Sequence, residues 1–162
     1  MGYTTGFEGR FELDRPLTKE DAAYLREFSE TRRMKRNPDV AAKMADRCRV
    51  RVGLPIGVEA GYFTGGVGDY GQGNDPSVVE HNVPPKGQPS LWCQWTPSED
   101  LKGIEWNGGE KFYSYVEWLQ YIIGHFLKRW GYVLNGEVRW QGEDDEDCGI
   151  IVCRDNVVMT AE

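Results

Sequence analysis

Residues 111–130 read KFYSYVEWLQYIIGHFLKRW, and this stretch decides the fold. Its apolar side chains recur at spacings of three and one, which is typical of one face of an α-helix. They are Phe112, Tyr115, Val116, Leu119, Ile122, Ile123, Phe126, Leu127 and Trp130. Gly131 follows, and glycine is the residue at which helices most often end. We therefore predict a helix over residues 111–130, packed on an apolar core.

A second aromatic row lies on another face of the same helix and consists of Trp118, Tyr121 and His125. A helix that is apolar most of the way round is usually covered on more than one side. Either a loop of the same chain covers this row, or a second subunit does, which would make the protein a homo-oligomer. The row is also a candidate interaction surface for another protein.

The N-terminal third predicts a strand followed by a helix. From Phe7 to Leu13, apolar residues alternate with charged ones, which is the period of a half-buried strand. Thr18 and Asp21 have the spacing of a helix-capping box, so a helix should begin near Lys19. It should fade into the basic run Thr31–Arg36.

The strands on either side of the long helix are predicted as hairpins. Leu91–Thr96 and Ile104–Trp106 are separated by a polar turn, as are Val133–Gln141 and Cys148–Cys153. The second turn is acidic and covers residues 143–147, and Val157–Thr160 adds a last strand.

This element order predicts an α+β fold: a two-layer sandwich of an antiparallel sheet with two helices on one face. It is close to a ferredoxin-like βαββαβ arrangement with extra strands. The length of 162 residues suits a single domain, residues 1–162, with a loop insertion at 53–90.

That insertion is rich in turn residues. Gly53–Pro89 holds nine Gly and five Pro in 37 residues, which excludes a regular element. Loops of this length are usually functional or disordered. Because aromatic and apolar residues recur inside it, we interpret it as ordered and as part of a site.

Charge is distributed unevenly along the chain. Residues 1–52 carry 12 basic and 9 acidic side chains. Residues 53–162 carry 7 basic and 17 acidic side chains, so the net charge of −7 arises in residues 53–162. Broad nucleic-acid binding is therefore disfavoured, although a local anion site is not. No apolar run approaches the roughly 20 residues that span a bilayer. We expect no membrane association, an intracellular protein and free thiols at the four cysteines.

The first candidate site combines basic, glycine and tryptophan residues. Guanidinium groups bind phosphates, glycine lets backbone N–H groups approach an anion, and indole rings stack on bases. The residues are Arg32, Arg33, Lys35, Arg36, Gly65, Gly66, Trp92 and Trp95. Alternatively, the arginines form a solvated helix end and the tryptophans belong to the core.

A second anion site is considered at Gly108 and Gly109, where a helix would begin. A tight turn with a cap is the alternative there. For catalysis, His81 with Asp75 and Ser77 is the best candidate set. We expect no metal site and no cofactor, although the acidic turn, Asp75 or Glu110 would supply ligands to a metal-dependent hydrolase.

Four strings carry a resemblance to a known family. They are TRRMKR (31–36), QPSLWCQW (88–95), GGEKFY (108–113) and LNGEVRWQGE (134–143). The chain resembles, almost end to end, a family of small proteins of bacteriophages and prophages, notably actinobacterial ones. This resemblance implies a phage origin, a single domain and action in the host cytoplasm, and it implies no mechanism.

The resulting functional hypothesis is a phage accessory protein, not an enzyme, that binds a small anionic, nucleotide-like ligand and sequesters a host signal. The first alternative is a protein-interaction module that docks a host or phage protein through the Trp118 row or through the acidic C-terminal half. The second is the metal-dependent hydrolase.

Overall fold

The computed structural model describes residues 2–65 and 75–162. The helices are α1 (Lys19–Glu30), α2 (Pro38–Ala41), α3 (Arg47–Arg51) and α4 (Tyr115–Ile122), which continues as a π-helix over Ile123–Leu127. A single 3₁₀ turn covers Val58–Ala60. The strands are β1 (Gly6–Leu13), β2 (Lys35–Arg36), β3 (Val78–Glu80), β4 (Trp95–Pro97), β5 (Gly103–Trp106), β6 (Leu134–Gln141), β7 (Cys148–Arg154) and β8 (Val157–Ala161).

The chain divides into two compact units. The sheet unit comprises Met1–Leu17 and Gln94–Glu162, and the central unit comprises Thr18–Cys93. The predicted single domain with an insertion at 53–90 stays a prediction.

The sheet unit is built on six strands in the order β4-β5-β1-β6-β7-β8, and neighbouring strands are antiparallel. In this sheet β1 lies between β5 and β6, and β4 lies on the other side of β5. A ferredoxin-like sheet has the same arrangement, with its first strand between its third and its fourth. Strands β7 and β8 extend it. The predicted α+β class, the antiparallel sheet and the extra strands are confirmed.

Alternation along the strands separates the two faces of this sheet. The inner face carries buried side chains, among them Phe11, Ile104, Leu134, Val138 and Ile151. The outer face carries charged residues at the intervening positions of β1 and β6. Tyr115 at the start of α4 joins the inner face, where its ring lies 5.1 Å from that of Phe7 and 5.9 Å from that of Trp140.

The long helix begins later than the sequence predicts. Lys111 and Ser114 have φ angles of +58° and +57°, so the right-handed helix starts only at Tyr115. Its last residue is Leu127, three residues before the predicted end, and the chain then turns to Gly131, which has the left-handed φ of +85° that glycine favours after a helix. Among the described residues, no helix is long and apolar enough to cross a membrane.

The central unit has a small core of its own. Ala41, Ala60 and Phe63 are buried together, and Met44 and Ile56 pack against them. Helix α1 begins as predicted, because the Thr18 hydroxyl accepts a hydrogen bond from the Asp21 N–H. A two-stranded sheet pairs β2 with β3, with Lys35 opposite Glu80.

The core of the sheet unit gives a stability prediction. Phe11 is fully buried, and its ring lies 5.5 Å from that of Trp95. Phe11→Ala should lower the free energy of unfolding by about 3 to 5 kcal/mol, because it leaves a cavity lined by aromatic rings. Val58 is 67% exposed, so Val58→Ala serves as the control and should change stability by less than about 0.5 kcal/mol. Urea unfolding followed by tryptophan fluorescence measures both, and equal effects would contradict this account of the core.

Candidate functional site

The basic run Thr31–Arg36 does not continue helix α1. The helix ends at Glu30, and the Thr31 hydroxyl donates to the Glu27 carbonyl at 2.7 Å and lies 3.0 Å from the Thr64 carbonyl. The following residues are extended and end in β2. The prediction of a basic helix end is therefore wrong, and so is the alternative that all these arginines are solvated, since Arg33 and Arg36 are buried.

Arg33 is 2% exposed and makes hydrogen bonds only to neutral oxygens in the contacts described. Its Nη1 donates to the Phe63 carbonyl at 2.9 Å, its Nη2 to the Gly61 carbonyl at 2.8 Å and its Nε to Oε1 of Gln88 at 3.1 Å. The guanidinium carbon also lies 4.1 Å from the centre of the Phe28 ring. Each of the three guanidinium nitrogens thus donates a hydrogen bond to an acceptor of the protein.

Carbonyl groups at the start of the glycine-rich loop point towards side chains of the same unit. Besides the two that Arg33 holds, the Tyr62 carbonyl accepts from the Tyr24 hydroxyl at 3.0 Å. Gln88 adds a second bond to the Gly61 carbonyl. An anion site needs inward N–H donors, whereas Gly61, Tyr62 and Phe63 present carbonyl acceptors, and the Thr64 N–H already donates to the Asp46 carboxylate.

Arg36 belongs to a second buried network. Its Nη1 donates to Asp75 at 2.6 Å and to the Ser77 hydroxyl at 2.9 Å, and that hydroxyl donates to the other Asp75 oxygen at 2.7 Å. Burial raises the pKa of Asp75, but the hydrogen bonds from Ser77 and Arg36 outweigh it and hold that pKa below its ordinary value. The network ties residue 75, where the described chain resumes, to β2.

Arg32 and Lys35 lie nearer the surface and also have partners. Arg32 donates to the His81 carbonyl at 3.1 Å and to the Asn82 side chain at 3.0 Å. Lys35 forms an ion pair of 3.4 Å with Glu59. The structure thus pairs each charge of the basic run with oxygens of the protein, which belong to residues 59–63 and 75–88.

The catalytic set predicted from sequence is only partly assembled. Asp75 and Ser77 are in contact, but the Ser77 hydroxyl is held between a guanidinium and a carboxylate that already compensate each other. His81 is exposed, and its Nδ1 lies 3.4 Å from the side-chain oxygen of Asn82. All four cysteines are free, as expected, and burial raises the pKa of the Cys153 thiol to about 11.

The glycine and tryptophan members of the predicted ligand site are divided between the two units, with Trp95 in the sheet unit. Gly65 is described and has a φ of +69°, whereas Gly66 lies outside the described residues. Trp92 is half-buried in the central unit. Trp95 belongs to the sheet unit, is 1% exposed and donates from its indole to the Tyr115 carbonyl at 2.8 Å. The rings of Phe7, Phe11 and Phe112 surround it, so it offers no face to a base.

The structure also differs from the prediction at two other candidate binding surfaces. Gly108 and Gly109 form a turn, in which the Gly109 N–H donates to the Asn107 side chain, and the helix starts only at Tyr115, so they are not a helix N-terminus. Trp118 is fully buried, and the Tyr121 ring stacks on that of His125 at 3.9 Å. The Trp118 row therefore lacks an exposed tryptophan for a partner to contact.

The acidic turn 143–147 is held in place by aromatic side chains. Asp147 accepts from the Tyr3 hydroxyl at 2.7 Å and from the Trp140 indole at 3.0 Å. These two hydrogen bonds lower the pKa of Asp147. In the part of the chain that the structure describes, no group of three or more His, Cys, Asp or Glu side chains is placed to hold a metal ion.

A cleft of about 730 Å³ lies in the sheet unit, at the end of the sheet next to the acidic turn. Its walls include three half-buried aromatic side chains, and polar groups stand at its rim. The main lining residues are Phe7, Glu8, Trp106, Arg139, Trp140 and Ile150.

The cleft exists because β1 has different partners along its length. β1 pairs with β6 over Gly6–Leu13, but its pairing with β5 covers only Phe11 and Glu12. Strand β5 is thus not paired with the first residues of β1. The Trp106 ring nevertheless lies 5.3 Å from the Phe7 ring. Sequence reasoning assigned both tryptophans to strands and gave no sign of a cleft, since strand periodicity does not show where two strands diverge.

The Arg33 cluster predicts a structural role. Arg33→Ala should lower the free energy of unfolding by about 3 to 5 kcal/mol, because it removes the donor that holds the buried Phe63 carbonyl and Oε1 of Gln88 and leaves a cavity beside the Phe28 ring. Arg32→Ala, which removes a half-buried arginine with two hydrogen bonds, serves as the control and should cost about 1 kcal/mol. Thermal and urea unfolding measure the difference. An Arg33→Ala protein as stable as the control would contradict the structural role.

Asp75 gives a prediction of pH dependence. Its folded pKa is below the unfolded value of about 3.9, so its contribution to stability is fully present above that pH and is lost as the pH falls through the folded pKa. Asp75→Asn should be less stable than the parent at neutral pH, and the gap should narrow below about pH 4. Urea unfolding as a function of pH measures both curves. A constant gap down to acidic pH would show that Asp75 is not coupled to Arg36 and Ser77 in this way.

Comparison with known proteins adds no relative. Searches against family models, curated proteins and solved structures found no match for this chain. The resemblance to phage proteins stays a prediction. The features that bear on function are therefore those of the structure itself, above all the acidic turn and the aromatic cleft.

Proposed function

We propose that the protein is a protein-interaction module, without catalytic activity of its own, whose binding site is the cleft of the sheet unit. Its partner is a basic protein segment that carries an apolar or aromatic anchor residue. The observation that carries the proposal is the half-buried aromatic lining of Phe7, Trp106 and Trp140 directly beside the acidic turn 143–147. The predicted phage origin would make the partner a host or phage protein.

The charge of the sheet unit supports a basic partner. Residues 1–17 and 94–162 contain eight basic and sixteen acidic side chains, a net charge of −8, whereas residues 18–93 are nearly neutral at +1. Such a field accelerates association with cations and repels anions.

The cleft and the acidic turn form one continuous surface. The Trp140 side chain lines the cleft and donates from its indole to Asp147, so the ring and the carboxylate are held together. A Lys or Arg of the partner would meet carboxylates at the turn and the faces of indole rings in the cleft, both of which attract cations. An apolar neighbour of that cation would bury itself against Phe7 and Trp106.

The nucleotide-like ligand is less well supported. Arg33 and Arg36 hold acceptors of the protein, and every buried side-chain nitrogen and oxygen among the described residues has a hydrogen-bond partner. Among the described residues, no buried side-chain donor is therefore left unpaired for a phosphate. That hypothesis stays a prediction, and it expects nucleotides to raise the melting temperature.

A matched pair of peptides tests the proposal. We expect a Lys- and Arg-rich peptide with one central Trp to bind wild-type protein and to change its tryptophan fluorescence. The same peptide with Glu in place of each basic residue should not bind. Affinity should fall steeply with added salt, because the attraction is electrostatic and exposed.

Paired variants locate the site. The double variant Asp145→Asn, Glu146→Gln neutralises exposed charges of the turn and should weaken binding by about two- to tenfold. The double variant Asp21→Asn, Glu20→Gln removes the same charge from helix α1 and should leave binding unchanged. Ile150→Asp places a carboxylate on the cleft wall and should abolish capture of the Trp anchor. The proposal fails if the acidic-turn and α1 variants bind alike, or if only nucleotides stabilise the protein.

A further inference from the structure

The two edges of the six-stranded sheet are unequal. At one edge, β4 has three residues and ends in Pro97, which has no N–H to donate. At the other edge, β8 runs Val157–Ala161 without Pro, Gly or any charged residue. Short strands, proline and charge are the usual protection of a sheet edge. Strand β8 has none of them, and in the described part of the chain its one strand partner is β7.

The hairpin turn determines which groups of β8 face outward. β7 and β8 are joined by Asp155 and Asn156, whose φ angles of +48° and +70° are those of a type I′ turn. In a hairpin with a two-residue loop, the flanking pair, here Arg154 and Val157, exchanges both backbone hydrogen bonds. Alternation then directs the N–H and C=O groups of Val158 and Thr160 away from β7.

We propose that β8 pairs with β8 of a second copy of this chain, antiparallel about a two-fold axis at Met159. In this register Val158 of one copy lies opposite Thr160 of the other, so each outward N–H and C=O group meets its counterpart. The pairing is isologous and closed, and it covers the unprotected edge of both copies at once. A longer antiparallel sheet results.

The side chains of β8 support a second copy as the occupant. Val157 and Met159 are 59% and 48% exposed on the outer face, beside Val152 of β7. Pairing about Met159 joins these apolar side chains to the same set in the other copy. A net charge of −8 on the sheet unit would oppose self-association at most surfaces, but Val157–Ala161 brings no like charges opposite each other.

Sedimentation velocity over a concentration series tests the pairing. Wild-type protein should pass from monomer to dimer as the concentration rises. Met159→Lys places two ammonium groups opposite each other at the axis, and Thr160→Pro removes an outward N–H donor, so each should weaken the dimer by at least about tenfold. Val79→Lys makes the same change of charge at a residue that is 60% exposed in β3, and it should dimerise like wild type.

Amide hydrogen exchange by NMR gives a second readout. In the monomer, the Val158 and Thr160 amides should exchange quickly and the Val157 and Met159 amides slowly. Only the first pair should gain protection as the concentration rises. Near-UV circular dichroism checks that each variant is folded. The proposal is overturned if wild type stays monomeric throughout, or if Met159→Lys dimerises as well as Val79→Lys.

Discussion

The central unit depends on one buried cation. Arg33 lies two residues after Thr31, the cap of helix α1, and its guanidinium group fixes the carbonyl groups of Gly61 and Phe63. A lysine has one compact ammonium group and could not hold the same acceptors in a plane. Tyr24 and Gln88 bind neighbouring carbonyls, so the start of a glycine-rich loop takes one conformation although its sequence permits many. This internal use of the positive charge is also why the basic run is a weak candidate for an anion site.

In the sheet unit, by contrast, a gap in backbone pairing creates a candidate binding surface. β1 is paired on both sides only at its C-terminal end, around Phe11. Towards its N-terminus, aromatic rings take the place of a strand, and Phe7 contacts Trp95, Trp106, Phe112 and Tyr115. Rings pack less completely than a paired strand, so an apolar hollow remains open beside the acidic turn. Aromatic side chains with one face exposed are common in recognition surfaces.

Local patterns in the sequence were sufficient for most elements of the fold. The alternation of Phe7–Leu13, the Thr18 cap and the hairpin of β6 and β7 predicted elements that the structure confirms, because each depends on neighbouring residues. The strand predicted over Leu91–Thr96 is wrong in its bounds, because β4 covers only Trp95–Pro97. The start of α4 was missed because the left-handed conformations of Lys111 and Ser114 cannot be derived from the local apolar pattern. The candidate site was mostly beyond reach for the same reason. Whether Arg33 is solvated or buried depends on acceptors near residues 61–63 and 88, and the cleft depends on where β5 leaves β1.

The two recognition surfaces that we propose for the sheet unit use different physical properties. At the acidic turn, charge sets the sign of the partner while the cleft supplies apolar area, so the contact is made by side chains and responds to salt. Along β8 the side chains are uncharged, and the unused hydrogen-bonding capacity belongs to the backbone, which another extended strand satisfies in full. The negative charge of the unit separates the two modes, because it attracts a basic segment to the turn and disfavours the meeting of identical copies except along a strand without charge. Because Pro97 protects the β4 edge, another copy can pair only along β8. Addition of a second copy therefore gives a closed pair and does not lead to a fibre.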